Sequence, residues 1–377
     1  MNDTEPPIQS NTSSKQNPSP APAASSPIVR YVSTFIKIIV SVMIVYWLIQ
    51  TKRIDLSALS KIQFSFHHFQ LLSISIILFC IGLFVLSLRI KSILSFYHYD
   101  ITVRRCISLT ILPLFFGTLL PGMIGGDALK VLYICKNVEN RKHDAFSSVV
   151  IDRAIGLFSL VSLAQIMSIT ALIFPFISIP ASIHYIIAAL TAFSITGLSL
   201  IASETLYRRI LSRINQRLPL RLQPFLPSLR LFFQSKRHFS FVLLLSFVNH
   251  ILVVAIQCIA SFFISDGTPL AVQFVIIPIA LLVNIIPLTP GGLGVYESAL
   301  HAVYSFVGSP NGATLGILSR LIQYGVLSVW SFFLLLKFRY QHRILDATEE
   351  KKKPPFATSF STDRKSTRLN SSHGKLS

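Results

Sequence analysis

An apolar run beginning at Cys106 stops after about fifteen residues at Pro121-Gly122, and a second, from about Leu270 to Ile286, stops at Pro290-Gly291. The two stops are near copies. Pro121-Gly122-Met123-Ile124-Gly125-Gly126-Asp127 and Pro290-Gly291-Gly292-Leu293-Gly294-Val295-Tyr296-Glu297 both read P-G-x-I/L-G, with a carboxylate two or three residues further on. Each is entered from a run carrying its own proline, Pro113 or Pro287. Each is followed by an arginine inside a new apolar stretch: Arg153 lies 32 residues after Pro121, and Arg320 lies 30 after Pro290. Proline and glycine free backbone groups that hydrocarbon cannot satisfy, so such breaks must be buried in protein or line a water-filled cavity. Matching breaks in corresponding halves of a membrane protein point to a transport site.

The composition requires the membrane that this argument assumes. Apolar residues make up 52% of the chain and charged residues 13%, with a mean hydropathy of +0.62. A soluble domain carries about 25% charged residues. Several apolar runs approach or exceed the ~20 residues that cross a bilayer. The formal net charge of +19 does not indicate a nucleic-acid partner, because the basic residues fall between and after the apolar segments. That is the positive-inside pattern, reinforced by attraction to anionic headgroups. Cys80, Cys106, Cys135 and Cys258 are far apart, with no CxxC and no neighbouring histidine pair, and read as small apolar residues. No metal site and no cofactor are expected.

Taken in order, residues 1–29 are rich in Pro, Ser, Asn and Gln and read as a disordered tail. Full spans are expected at about 31–50, 69–88, 145–174, 184–202, 239–264 and 313–336, six in all. Arg89, Lys91, Arg104 and Arg105 read as a cytoplasmic segment, and the basic stretch 203–238, with Glu204 its only acid, as a cytoplasmic loop lying on headgroups. The interrupted segments 106–135 and 270–307 read as re-entrant hairpins entered from opposite faces, judged by the charge of their flanking loops, with a full span and a following amphipathic helix as the alternative for 106–135. The expected fold is therefore an all-α polytopic membrane protein. It has a transmembrane domain over 30–340 and an inverted repeat relating 69–174 to 239–336, with both termini cytoplasmic at the cell (inner) membrane. Residues 341–377 read as a polar tail, and 363–377 resemble a translated sequencing-adapter read.

An ionisable side chain at membrane depth costs a few kcal/mol and marks a partner or a wet cavity. Asp127, Asp152, Arg153, Glu297 and Arg320 are nearly all such charge visible in the sequence. The bland reading is internal salt bridges, with the glycines as simple close-packing. The functional reading joins these five residues to Pro121, Gly122, Gly125, Gly126, Pro290, Gly291, Gly292 and Gly294 as a substrate site. Free amides and helix N-termini there would attract an anion, arginine would grip a phosphate, and a carboxylate would take an ammonium or hydroxyl.

The segments LLPGMIGGDALKVLYI, VVIDRAIGL and IPLTPGGLGVYESAL closely resemble signatures of the lysylphosphatidylglycerol synthase transmembrane family. These flippase-like proteins are related to the membrane half of the multiple peptide resistance factor. The resemblance covers roughly residues 31–340. It implies movement of lipids such as aminoacylated phosphatidylglycerol, other phospholipids or polyprenyl-linked glycolipids between leaflets. Bifunctional members add a soluble aminoacyl-transferase domain, whereas about 40 residues follow the last span here. The synthase activity is accordingly not carried over, and the expectation is a translocator rather than an enzyme, with no catalytic residues. No P-loop motif is present, so uphill transport would draw on an ion gradient, the membrane potential or a partner. The main alternative is a non-catalytic partner of a cell-envelope glycosyltransferase or lipid synthase. A less favoured one is a membrane transferase with Asp127 or Glu297 as base.

Overall fold

The structure, a computed structural model, describes residues 65–119, 124–136, 142–174, 179–211, 223–264, 266–284 and 289–352, with isolated positions Met43, Tyr46, Gln50 and Gln216. The expected first span and N-terminal tail fall almost wholly outside these residues, as do Pro121 and Gly122. Among the described residues every regular element is helical. The principal helices are α1 (Phe66–Phe96), α2 (Val103–Leu119), α3 (Ile124–Lys136), α4 (Lys142–Ile173), α5 (Ala181–Ala202), α6 (Phe225–Gln234), α7 (Lys236–Phe263), α8 (Leu270–Val283), α9 (Val295–Ser305) and α10 (Gly312–Lys352).

Among the described residues five helices are long and apolar enough to cross a membrane: α1, α4, α5, α7 and α10 up to Leu336. Their outer faces show why. Ile77, Phe84, Leu172, Phe193, Leu244 and Phe332 are exposed, and α5 buries only Ile187. A soluble protein does not present large apolar side chains on this scale, so these surfaces face lipid. The protein is a multi-pass all-α membrane protein.

Elements recur in the order long, half-length, half-length, long. The lengths are 31, 17, 13 and 32 residues for α1–α4 and 28, 14, 11 and 41 for α7–α10. In each set the two half-length helices pack against each other, and α1 lies along α7. Pro113 sits inside α2 and Pro278 inside α8. The second half thus has an intrahelical proline that the sequence reading passed over for Pro287, which lies outside the described residues.

Among the described residues, the two larger buried clusters hold the bundle. One gathers Ile90, Ile93, Leu94, Leu109, Ile134, Ile151 and Phe232; the other gathers Val254, Ile276, Ala280, Leu300, Tyr304 and Leu315. Hydrocarbon gives apolar helices no reason to associate, so packing and polar cross-links decide the contacts. Gln257 Nε2 donates to Tyr296 Oη at 2.8 Å and Ser319 Oγ at 2.7 Å, tying α7 to α9 and α10. Gln273 Nε2 donates to Ser261 Oγ at 3.0 Å, and Tyr304 Oη donates to Gln273 Oε1 at 3.2 Å, joining α8 to α7 and α9.

Two expectations change. Helix α1 runs past Leu88 to Phe96, and Arg89 is a buried residue within it rather than the start of a loop. The apolar spacing Ile90, Ile93, Leu94 continues the inward face and carries the arginine with it. The stretch 203–238 is also more than a headgroup-bound loop. Helix α6 buries Leu229, Phe232 and Phe233 against α4 and α7, while Glu204 pairs with Arg208 and Arg230. An amphipathic helix with three large apolar residues gains more by docking on the bundle than by resting at the surface.

Gly126 shows how closely α2 and α3 approach. A Cβ there would stand 2.4 Å from the Pro113 carbonyl oxygen, whereas one at Gly117 would be 3.9 Å from the nearest atom, Gly126 Cα. Gly126→Ala should lower stability by about 1–3 kcal/mol through overpacking. Gly117→Ala, an ordinary contact in a helix, should be neutral or slightly stabilising. Thermal unfolding of the purified pair in detergent checks this, and equal melting temperatures would contradict it.

Candidate functional site

Charge at membrane depth is collected where α1, α3 and α4 meet. Asp127 lies in the first turn of α3, where the helix dipole favours a carboxylate. Lys130 follows three residues later and therefore shares its face. On α4 the neighbours Asp152 and Arg153 are turned about 100° apart and meet different partners. Arg153 Nε donates to Asp127 Oδ2 at 2.8 Å and Nη2 to Oδ1 at 2.7 Å, a two-pronged pair. Asp152, 2% exposed, accepts from Arg89 Nε at 2.8 Å and from Lys130 Nζ at 3.0 Å. Arg89 also donates to Ser246 Oγ on α7 at 3.2 Å, and it packs against Gly156, where a Cβ would meet Nη1 at 3.3 Å. His250 Nε2 donates to the Gly156 carbonyl at 3.0 Å, since a carbonyl only accepts.

The second break is built differently. Gly291, Gly292 and Gly294 have φ of 58°, 71° and 82°, left-handed values that favour glycine, so the chain turns sharply between α8 and α9. Its amides are largely taken. Gly294 N–H donates to Glu297 Oε2 at 2.6 Å, and Gly292 N–H donates to the Thr289 carbonyl at 3.1 Å. Arg320 satisfies the carbonyls instead. Its Nη1 donates to Gly291 O at 2.5 Å and Tyr324 Oη at 2.8 Å, and Nη2 donates to Gly292 O at 2.9 Å. Its Nε stands 2.5 Å from Glu297 Oε1, a charge contact without hydrogen-bond alignment. The expectation of free amides and an available arginine is corrected here: Arg320 closes the break. Hydrocarbon leaves no other donor for those carbonyls.

The first-half pair differs in exposure. The Arg153 side chain keeps 42% of its surface accessible, against 9% for Arg320. Arg153 lines two adjoining cavities. One, of about 290 Å³, reaches Gly117, Thr118, Thr289, Gly291, Gly292, Tyr296 and Arg320; the other, of about 440 Å³, reaches Arg89, Asp127, Lys130, Asp152 and His250. Leu86, Leu114, Asn249, Val253, Leu281 and Asn284 also border both. The structure therefore places Gly291, Gly292 and Arg320 on one cavity and Asp127 and Asp152 on its neighbour, with Arg153 lining both. Glu297 and Gly294 support the wall of the first, Gly126 serves the α2–α3 contact, and Gly125 lies in the first turn of α3.

The profile of the lysylphosphatidylglycerol synthase TM region matches residues 34–331, a stretch containing both breaks and every charged residue of the two cavities. The chain belongs to this family. Proteins similar to it include UPF0104 membrane proteins of three organisms. One from Methanothermobacter thermautotrophicus is 26% identical over 224 residues, covering 54% of this chain and 66% of that protein. Another, from Pyrococcus horikoshii, is 23% identical over 337 residues, covering 82% and 97% respectively. A third, from Methanocaldococcus jannaschii, is 23% identical over 274 residues, covering 67% and 80%. No solved structure matches the chain.

For this family member the sequence reading missed Arg89, Lys130, Asn249, His250, Asn284 and Tyr324. Lys130 was legible, because Asp127-Ala-Leu-Lys130 sets lysine on the aspartate's face. So was Glu297 as a cap, three residues after Gly294 at a helix start. Asn249 and His250 are an isolated polar pair, and Asn284 a single polar residue, in long apolar runs, and only the packing of α7 against α1 and α8 shows what they face.

Proposed function

We propose that the chain is a lipid translocator, a flippase or scramblase, that passes phosphate-bearing lipids between leaflets without covalent chemistry. The observation that carries this reading is Arg153, a half-accessible cation shared by two adjoining cavities within a bundle whose outside faces lipid. A hollow with charged lining and apolar walls gives a headgroup a wet path, while acyl chains remain in hydrocarbon. The carboxylates that would serve as a general base support the absence of chemistry. Asp127 is held by Arg153 and Glu297 by Arg320, so neither is placed to take a proton from a substrate. Basic residues between the spans favour a cytoplasmic-membrane location with both termini inside.

Leaflet exchange of headgroup-labelled phospholipids in proteoliposomes tests the reading. Wild-type protein should speed exchange over empty vesicles. Arg153→Ala should lower the rate by about tenfold or more, because a charged hydrogen-bond donor in the path is lost. No exchange of anionic, aminoacylated or polyprenyl-linked lipids by the wild type would end the translocator reading.

A further inference from the structure

The larger cavity is not electrically balanced. Arg89, Lys130 and Arg153 border it against Asp127 and Asp152, three cations to two carboxylates, while Glu297 and Arg320 beside the other cavity cancel. An excess cation in a site walled by Leu86, Leu114, Leu157 and Leu160 is costly unless an anion joins it. The carboxylates are also engaged. Asp127 receives both prongs of Arg153, Asp152 receives Arg89 and Lys130, and Glu297 receives Gly294 N–H and faces Arg320. An ammonium entering the cavity would find no uncommitted carboxylate. An anion would find donors: Lys130, 9% exposed, spends one of its three N–H groups on Asp152, and Arg153 Nη1 stands outside the Asp127 pair.

We infer that this cavity binds a monoanionic phosphate group carrying no ammonium, with Lys130 and Arg153 donating to its oxygens and Arg89 supplying the remaining field. The inference rests on the translocator reading for its lipid source. It departs from the aminoacylated phosphatidylglycerol that the family resemblance implied. A phosphodiester lipid without an amine and free phosphate offer the same chemistry to the site, and the experiment separates them.

Purified protein in detergent would be titrated with phosphatidylglycerol, phosphatidylcholine, lysylphosphatidylglycerol, inorganic phosphate and chloride, with the melting temperature as readout. Phosphatidylglycerol should stabilise at concentrations about tenfold or more below the zwitterionic and lysylated lipids, the difference one charge-assisted contact makes. Lys130→Gln, whose amide still reaches toward Asp152, should erase that preference. Where the variant does not fold, the wild-type ranking decides alone. Lysylphosphatidylglycerol or phosphatidylcholine binding as tightly overturns the inference, as does chloride matching phosphatidylglycerol. Inorganic phosphate matching it upholds the phosphate site and overturns the lipid source. Leaflet exchange on the same preparation keeps the two readings apart. Exchange without headgroup preference removes the anion site and leaves translocation; selective binding without exchange of any lipid removes translocation and leaves the site.

Discussion

Asp152→Asn is expected to lower stability by about 3–5 kcal/mol, the usual cost of stranding buried charge. Asp152 is 2% exposed and holds two cations from different helices, Arg89 on α1 and Lys130 on α3. An amide offers one acceptor in place of a charged carboxylate, leaving both cations in a poorly solvated site. The loss should therefore appear as a large fall in melting temperature and poor recovery from membranes. Adding Lys130→Met to Asp152→Asn should restore part of it, because one stranded cation is removed. A double-mutant cycle measures that coupling. Wild-type melting by Asp152→Asn would show that the triad contributes nothing to folding.

Arg320→Ala should produce a loss of similar size, about 3–5 kcal/mol, for a different reason. It leaves Glu297, 1% exposed, without its cation and strips the Gly291 and Gly292 carbonyls of their donors. Arg320→Lys should recover only a fraction, since an ammonium cannot span Glu297, two carbonyls and Tyr324 as a planar guanidinium does. Arg153→Ala supplies the contrast. Its pair with Asp127 is 42% and 23% exposed, so its share of stability should be about 1 kcal/mol or less. Transport lost with stability retained in Arg153→Ala, and both lost in Arg320→Ala, would separate the substrate-facing arginine from the structural one. Equal destabilisation by the two would remove that distinction.

Much of this was legible before any coordinates. Uncharged runs of about twenty residues can do little else than span a bilayer, because no shorter-range structure satisfies their backbone in hydrocarbon. The two proline–glycine breaks announced half-length helices for the same reason, and α2–α3 and α8–α9 are those helices. The charged residues Asp127, Asp152, Arg153, Glu297 and Arg320 stood out because charge at that depth is costly. Arg89 was lost in the loop rule, which treats arginine at the end of an apolar run as a marker of the water boundary.

What the sequence determined by itself was therefore the class, the breaks and most of the charge, since each follows from local composition and the cost of unsatisfied groups. The tertiary structure decided who meets whom. Arg89 and Lys130 reach Asp152 only because α1, α3 and α4 converge, and Arg320 closes a break 28 residues before it only because α10 packs on α9. Which arginine is spent on the backbone and which still faces a cavity is a matter of long-range packing, and no local pattern encodes it.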